Sequence, residues 1–155
     1  MNFINEPFAN QHLKTSLANQ LKPLLADEYI LMNKTVTFLL NMQSTPAKEM
    51  VEQVYDELKK NVSEVKLILQ NIMAGLTISI DDFIANTRLQ THSKFTSQVA
   101  LFELLIADHH FIVTKLNAVI KEPHEEEIVQ VITGIKNRHI TIADRLRFYL
   151  QQTFN

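Results

Sequence analysis

The sequence predicts an all-α protein, four long helices in one bundle with a short helix in the crossover between helices two and three. Three observations carry that expectation. Hydrophobic residues make up 46% of the chain while Gly numbers only 2 and Pro 4, so turns are few and the elements between them are long. Apolar residues recur at three- and four-residue steps in four separate stretches, the period of a helix with one buried face. A length of 155 residues suits one domain with one core, so residues 1–155 are read as a single unit.

Residues 1–13 contain no Lys or Arg and include Pro7; they are expected to form an extended arm or a short turn. Thr15 or Ser16 can cap the first helix. Leu17, Leu21, Leu24, Leu25, Leu31, Phe38 and Leu39 then give it one apolar face as far as about Asn41. Pro23 is either tolerated at a kink or marks a later start. Gln43, Ser44, Thr45 and Pro46 supply a cap and a first-turn proline, so helix two begins near Thr45. Its stripe is Met50, Val51, Val54, Leu58, Val62, Val65, Leu69 and Ile72, and Gly75 is a natural stop. Ser79 and Asp81 can cap a short helical piece over residues 82–87, which the residues at 90–93 break again. Helix three follows with Val99, Phe102, Leu105, His109, Ile112, Leu116 and Val119 facing inward, and Pro123 marks its turn. Helix four spans about residues 124–152, with Ile128, Ile132, Ile135, His139, Ile142, Leu146 and Tyr149 inward. Glu125, Glu126 and Glu127 lie in its first turn, where carboxylates complement the helix dipole.

Composition excludes several function classes. With 15 basic and 17 acidic residues the net charge is −2, so no global field favours nucleic acid or an anionic membrane. The absence of Cys rules out disulfides, a thiolate nucleophile and a cysteine metal site, and fits a reducing, cytoplasmic setting. The first residues lack the basic start and apolar run of a secretory signal. Nothing approaches the roughly 18 consecutive apolar residues of a membrane span.

Several strings, taken in order, resemble the Dps family, the mini-ferritins. LLADEYILMNKT at 24–35 is similar to the family's first helix and LTISIDDFIANTRL at 76–89 to its short crossover helix. LLIADHHFIV at 104–113 and NRHITIADRLRFYL at 137–150 are similar to its third and fourth. Lys34 and Thr35, Asn41 seven residues after Lys34, and the amphipathic helix beyond Pro46 resemble the family's central motif. The resemblance spans about residues 17–150. It implies a ferritin-like four-helix bundle that assembles into a homo-oligomeric cage, a dodecamer, for iron storage and stress protection.

It also implies a ferroxidase centre shared between subunits. One subunit gives a His near the end of helix one and a His and an acidic residue four apart on helix two. Its neighbour gives two carboxylates, also four apart, further along helix two. Laid on this sequence without a gap, those positions are Leu39, Val51, Tyr55, Lys66 and Gln70. None is an imidazole or a carboxylate, and Leu40 replaces the tryptophan common beside the first ligand. The expectation is a structural or storage shell with a degenerate ferroxidase site and no bound cofactor. Two rivals stand beside it: an active ferroxidase using a displaced site or a mixed oligomer with an active paralogue, and a binding module that uses only the bundle. Without a neighbouring subunit, Leu39, Val51 and Tyr55 are expected to face solvent.

Other candidates are weaker by chemistry. An iron site inside the bundle, as in larger ferritins, needs Glu-x-x-His on two helices; helix two has no His, and Lys136 stands three before His139. His109 and His139 lie on facing inward stripes and can share a metal or act as hydrogen-bonded core residues, with Asp108 or Thr141 as local partners. His109 and His110 cannot act together, because adjacent helix positions point about 100° apart. Glu122, Glu125, Glu126 and Glu127 resemble the acidic lining of the family's threefold pores, or serve the helix dipole. DNA binding through lysine-rich tails is not expected, since the first basic residue is Lys14 and the last Arg147.

Overall fold

The computed structural model describes residues 6–43, 45–75, 77–91 and 97–154, with side chains from residue 12 onward. Among these residues the chain forms five helices: α1 (Glu6–Leu40), α2 (Thr45–Ile72), α3 (Ile80–Asn86), α4 (Gln98–Ile120) and α5 (Glu126–Phe154). Four are long and α3 is the short piece in the crossover.

The first helix corrects the expectation of an arm reaching residue 13. It already runs from Glu6, because Pro7 falls in its first turn, where the missing N–H has no intrahelical acceptor to lose and the fixed φ suits the helix. Thr15 and Ser16 therefore lie well inside α1 rather than at its start. The helix also continues through Pro23, which leaves the Asn19 carbonyl without its usual donor four residues on. Beyond Leu40 the chain tightens, with Asn41 N donating to the Phe38 carbonyl at 3.0 Å.

Helix α2 starts at Thr45 and ends at Ile72 as its stripe predicts; Ser44, read as part of its cap, lies outside the described residues. Gly75 beyond it takes φ +79°, a left-handed conformation that side chains resist. For α3 the cap is Ser79, not Asp81, and the helix begins two residues earlier than residue 82. The Ser79 hydroxyl accepts from Asp82 N at 3.2 Å while Ser79 N donates to the Asp82 carboxylate at 2.8 Å. Those bonds, the backbone one first, hold the Asp82 carboxyl below its usual range. Of the break read at 90–93, residues 92 and 93 lie outside the described residues. Ser97 caps α4 by accepting from Ala100 N at 3.1 Å. Helix α5 begins at Glu126, two residues later than expected, with the Glu125 carbonyl accepting from Val129 N.

Helices α1 and α2 pack as one hairpin and α4 and α5 as another; α1 meets α4, α2 meets α5, and α3 lies on α1. The two hairpins close over a core of Leu21, Leu24, Leu31, Phe38, Val54, Leu58, Leu69, Phe102, Leu105, Ile112, Leu116, Ile132 and Leu146. Arg88 lies over the Phe111 ring while Lys34 reaches Asp108, so α1 and α4 run antiparallel and the crossover spans the bundle from end to end.

One carboxylate fastens that crossover. Asp27 on α1 is fully buried. Its Oδ1 accepts from Thr87 Oγ1 at 2.9 Å and Arg88 N at 2.7 Å, and its Oδ2 takes the Arg88 fork at 2.9 and 2.6 Å. Replacing it leaves an amide and a hydroxyl without their acceptor beneath α3. Asp27→Ala is expected to cost about 3 kcal/mol, lowering Tm by roughly 6–12 °C in a chain of this size. A loss under about 1 kcal/mol in chemical denaturation would show that α3 does not depend on this clamp.

Candidate functional site

Two sets of residues compete for the functional role, and each is set by a helical stripe. The first is the five family positions. On α2 the buried stripe is Ala47, Val51, Val54, Leu58, Asn61, Val65, Ile68 and Leu69. Val51 is part of it and is 0% exposed in the single chain, which corrects the expectation that it needs a partner subunit to cover it. Leu39 and Tyr55 are half-buried, and Lys59 stands over the Tyr55 ring at 5.4 Å from its centroid. Lys66 and Gln70 are exposed, and with Tyr29, Val62, Ile78 and Phe83 they line a cavity of about 170 Å³. Within one chain the two groups are separated by about 16 Å of helix, eleven residues at 1.5 Å each.

The second set lies in the centre of the bundle, one residue from each long helix. Glu28 on α1, Asn61 on α2, His109 on α4 and His139 on α5 are all 0% exposed. Nδ1 of His109 and Nδ1 of His139 are 2.7 Å apart. His139 Nε2 meets Oε1 of Glu28, and Asn61 Nδ2 lies 3.5 Å from Oε2 of the same carboxylate. Asn61 is oriented by Arg138, whose Nε donates to its Oδ1 at 2.7 Å, and Arg138 also pairs with Glu64. The expected partners of His109 are thus corrected. Asp108 is engaged by Lys34 at 3.0 Å, and Thr141 is exposed. His110 points out of the core, 3.1 Å from an Arg147 nitrogen.

Burial dictates the electrostatics. Burial first, then His139, His110 and Arg145, hold His109 well below the ordinary imidazole pKa. Burial pushes the Asp108 carboxyl up, with the Lys34 ammonium opposing that shift. A raised carboxyl means that the folded state binds the proton more tightly than the unfolded one. The stability associated with protonated Asp108 is therefore lost as pH rises through its folded pKa.

As a metal site the string has the His109 imidazole on one side of His139 and the Glu28 carboxylate on the other. Among the described residues no three His, Asp or Glu side chains are grouped to hold an ion. The sequence reading anticipated the two histidines but missed Glu28 and Asn61. Their signal was present, since Glu28 continues the Leu21, Leu24, Leu31 stripe and Asn61 the Val54, Leu58, Val65 stripe. Glu125, Glu126 and Glu127 are exposed at the start of α5; Glu125 and Glu127 border a cavity of about 510 Å³ with Leu13, Lys14, Ile72 and His124.

No protein-family model and no curated protein matches the sequence. Solved structures do match. A Dps protein from Vibrio cholerae O1, described as a member of a broad superfamily of ferritin-like diiron-carboxylate proteins, superposes with a TM-score of 0.82 at 15% identity, covering 90% of this chain and 92% of that one. The chain has the Dps fold. Dps from Thermosynechococcus elongatus also matches, with a TM-score of 0.68 at 14% identity over 92% of this chain and 94% of that one. The Dps fold accounts for the crossover helix α3 and for the pairing of α1 with α2 and α4 with α5. Diiron-carboxylate chemistry, the class in which the Vibrio protein is described, needs carboxylates, and positions 39, 51, 55, 66 and 70 of this chain carry none.

Proposed function

We propose that this chain is the subunit of a Dps-like cage, a structural or iron-storage shell with a protective role, in which the intersubunit ferroxidase centre has been lost. The observation that carries the reading is a Dps fold over nine-tenths of the chain combined with Leu, Val, Tyr, Lys and Gln where the family places its ligands. Lys66 is both cationic and exposed, so it repels the ferrous ion that a carboxylate there would attract. The remaining apolar exposure suits assembly: Leu40 is 81% exposed and Leu67, beside Lys66, 58%. No helix among the described residues is long and apolar enough to cross a membrane, and we place the shell in the cytoplasm.

Light scattering tests the assembly. A particle near twelve times 17.9 kDa is expected; a monomer or dimer would remove both cage readings and leave the binding module. The same particle is expected to release plasmid DNA at physiological salt, because residues 1–13 and 148–155 carry no Lys or Arg and counterion release requires clustered cations. A gel shift persisting at such salt would overturn that part. The rival reading, a ferroxidase with a displaced centre or an active paralogue in the same shell, draws on the buried Glu28, His109 and His139. It predicts rapid, saturable iron oxidation.

A further inference from the structure

One cavity combines apolar walls with a single cation and no carboxylate to neutralise it. Val62, Lys66 and Gln70 stand four residues apart on α2, and Leu25 and Tyr29 four apart on α1, so each set lies on one face of its helix. The two faces border the cavity of about 170 Å³, together with Ile78 of the crossover and Phe83 of α3. Phe83 is held there by stacking on Tyr29, with 4.2 Å between ring centroids. Leu25, Val62, Ile78 and the Phe83 ring supply hydrocarbon, while Lys66, Gln70 and Tyr29 bring one ammonium, one amide and one phenol. Among the described residues no partner engages the Lys66 ammonium, the Gln70 amide or the Tyr29 hydroxyl. We propose that this cavity binds a small monocarboxylic acid, with the apolar body of the acid between the helices and its carboxylate at Lys66.

The lining selects that class of ligand. An inorganic oxyanion in the cavity sets oxygens against Leu25, Val62 and Phe83, which have no hydrogen to donate to them. A purely apolar molecule draws nothing from the ammonium or the amide. A carboxylate accepts from Lys66 and Gln70 together, and its tail leaves water for hydrocarbon. Lys66 is exposed, and its long stem lets the ammonium lie at the mouth while the methylenes extend the apolar wall. Glu28 and Asp82, the acids beside Tyr29 and Phe83 in sequence, already bind His139 and Ser79, so neither is a partner for Lys66. The volume is about six waters' share of the liquid, room for a branched or aromatic acid of roughly six to ten non-hydrogen atoms. Every group belongs to one chain, so the site does not depend on the cage.

Fluorine NMR titration of para-fluorobenzoate with the full chain at neutral pH tests this. A dissociation constant of about 1 mM is expected for a ligand so small. Lys66→Met, a change at an exposed position, is expected to weaken binding at least about fivefold, and Lys66→Arg to keep it within about twofold. The para-fluorobenzyl alcohol, of similar shape but uncharged, is expected to bind at least about fivefold more weakly than the acid. Val62→Phe places a ring in the cavity and is expected to abolish binding; should that variant not fold, the Lys66 series decides. No binding by about 10 mM, or equal affinity in wild type and Lys66→Met, would overturn the site. Equal affinity for acid and alcohol would overturn it in favour of a plain apolar cavity. Displacement of the acid by an equal concentration of inorganic phosphate would overturn it in favour of a bare oxyanion site. Unchanged binding by a folded Val62→Phe would put the acid elsewhere on the molecule and overturn it as well.

Discussion

Glu28→Ala is expected to cost the bundle about 3–5 kcal/mol, a large share of the roughly 5–15 kcal/mol that holds a domain folded. The carboxylate meets both His139 Nε2 and Asn61 Nδ2, which also lies 3.3 Å from His139 Nε2, and all three groups are fully buried. Truncation takes a partner from both, and each buried polar group left short of one costs about 1–3 kcal/mol before the cavity is counted. Glu28→Gln keeps an acceptor oxygen for His139 and is expected to lose less than half as much. The comparison by urea denaturation separates hydrogen bonding from volume, because Gln and Glu fill nearly the same space. Equal losses in the two variants would mean that charge, not the acceptor, is what the core requires.

The second large effect is on iron oxidation. The wild-type shell is expected to oxidise Fe²⁺ with peroxide or oxygen at a rate within about twofold of a no-protein control, a difference of roughly 0.4 kcal/mol in barrier. Ferrous ion must exchange its water for imidazole and carboxylate before it can be held and oxidised. Leu39, Val51, Tyr55, Lys66 and Gln70 offer none of these, and the sum of their charges is positive. Leu39→His, Val51→His, Tyr55→Asp, Lys66→Asp and Gln70→Glu together are expected to raise the rate at least about tenfold, ~1.4 kcal/mol in barrier. Val51 is fully buried, so its imidazole displaces core volume; the four-residue variant without it is the control for folding. Rapid saturable oxidation by the unmodified protein would place the chemistry elsewhere, and His109→Leu would then show whether the buried string is involved.

The four long helices were legible because each carries a one-sided stripe over six or more turns, a signal that tertiary context cannot easily reverse. The short helix was legible through Ser79, although the cap pairs with Asp82 and the helix starts before it. The start of α1 was not, since Pro7 reads as a breaker until its position within the first turn is known. The site was half legible. Spacing placed His109 and His139 on inward faces, but a single helix pattern cannot show that α1 and α5 meet across the diagonal through Glu28 and His139. Val51 was legible in the α2 stripe with Val54 and Leu58, and only its match to a family ligand position set it toward a neighbouring subunit.

The buried string has a kinetic meaning beyond its energy. Each hairpin joins neighbours in sequence and can form early, because closing a short loop costs little chain entropy. Neither hairpin can satisfy the string alone: Glu28 and Asn61 belong to one, His109 and His139 to the other. Apolar stripes of Leu, Ile and Val slide past one another with modest loss, so two collapsed hairpins can first meet one turn, about 5.4 Å, out of step. In such an encounter the carboxylate and both imidazoles face hydrocarbon without partners. Each stranded group costs about 1–3 kcal/mol, so the string disfavours that register relative to the one alignment in which Glu28 meets His139.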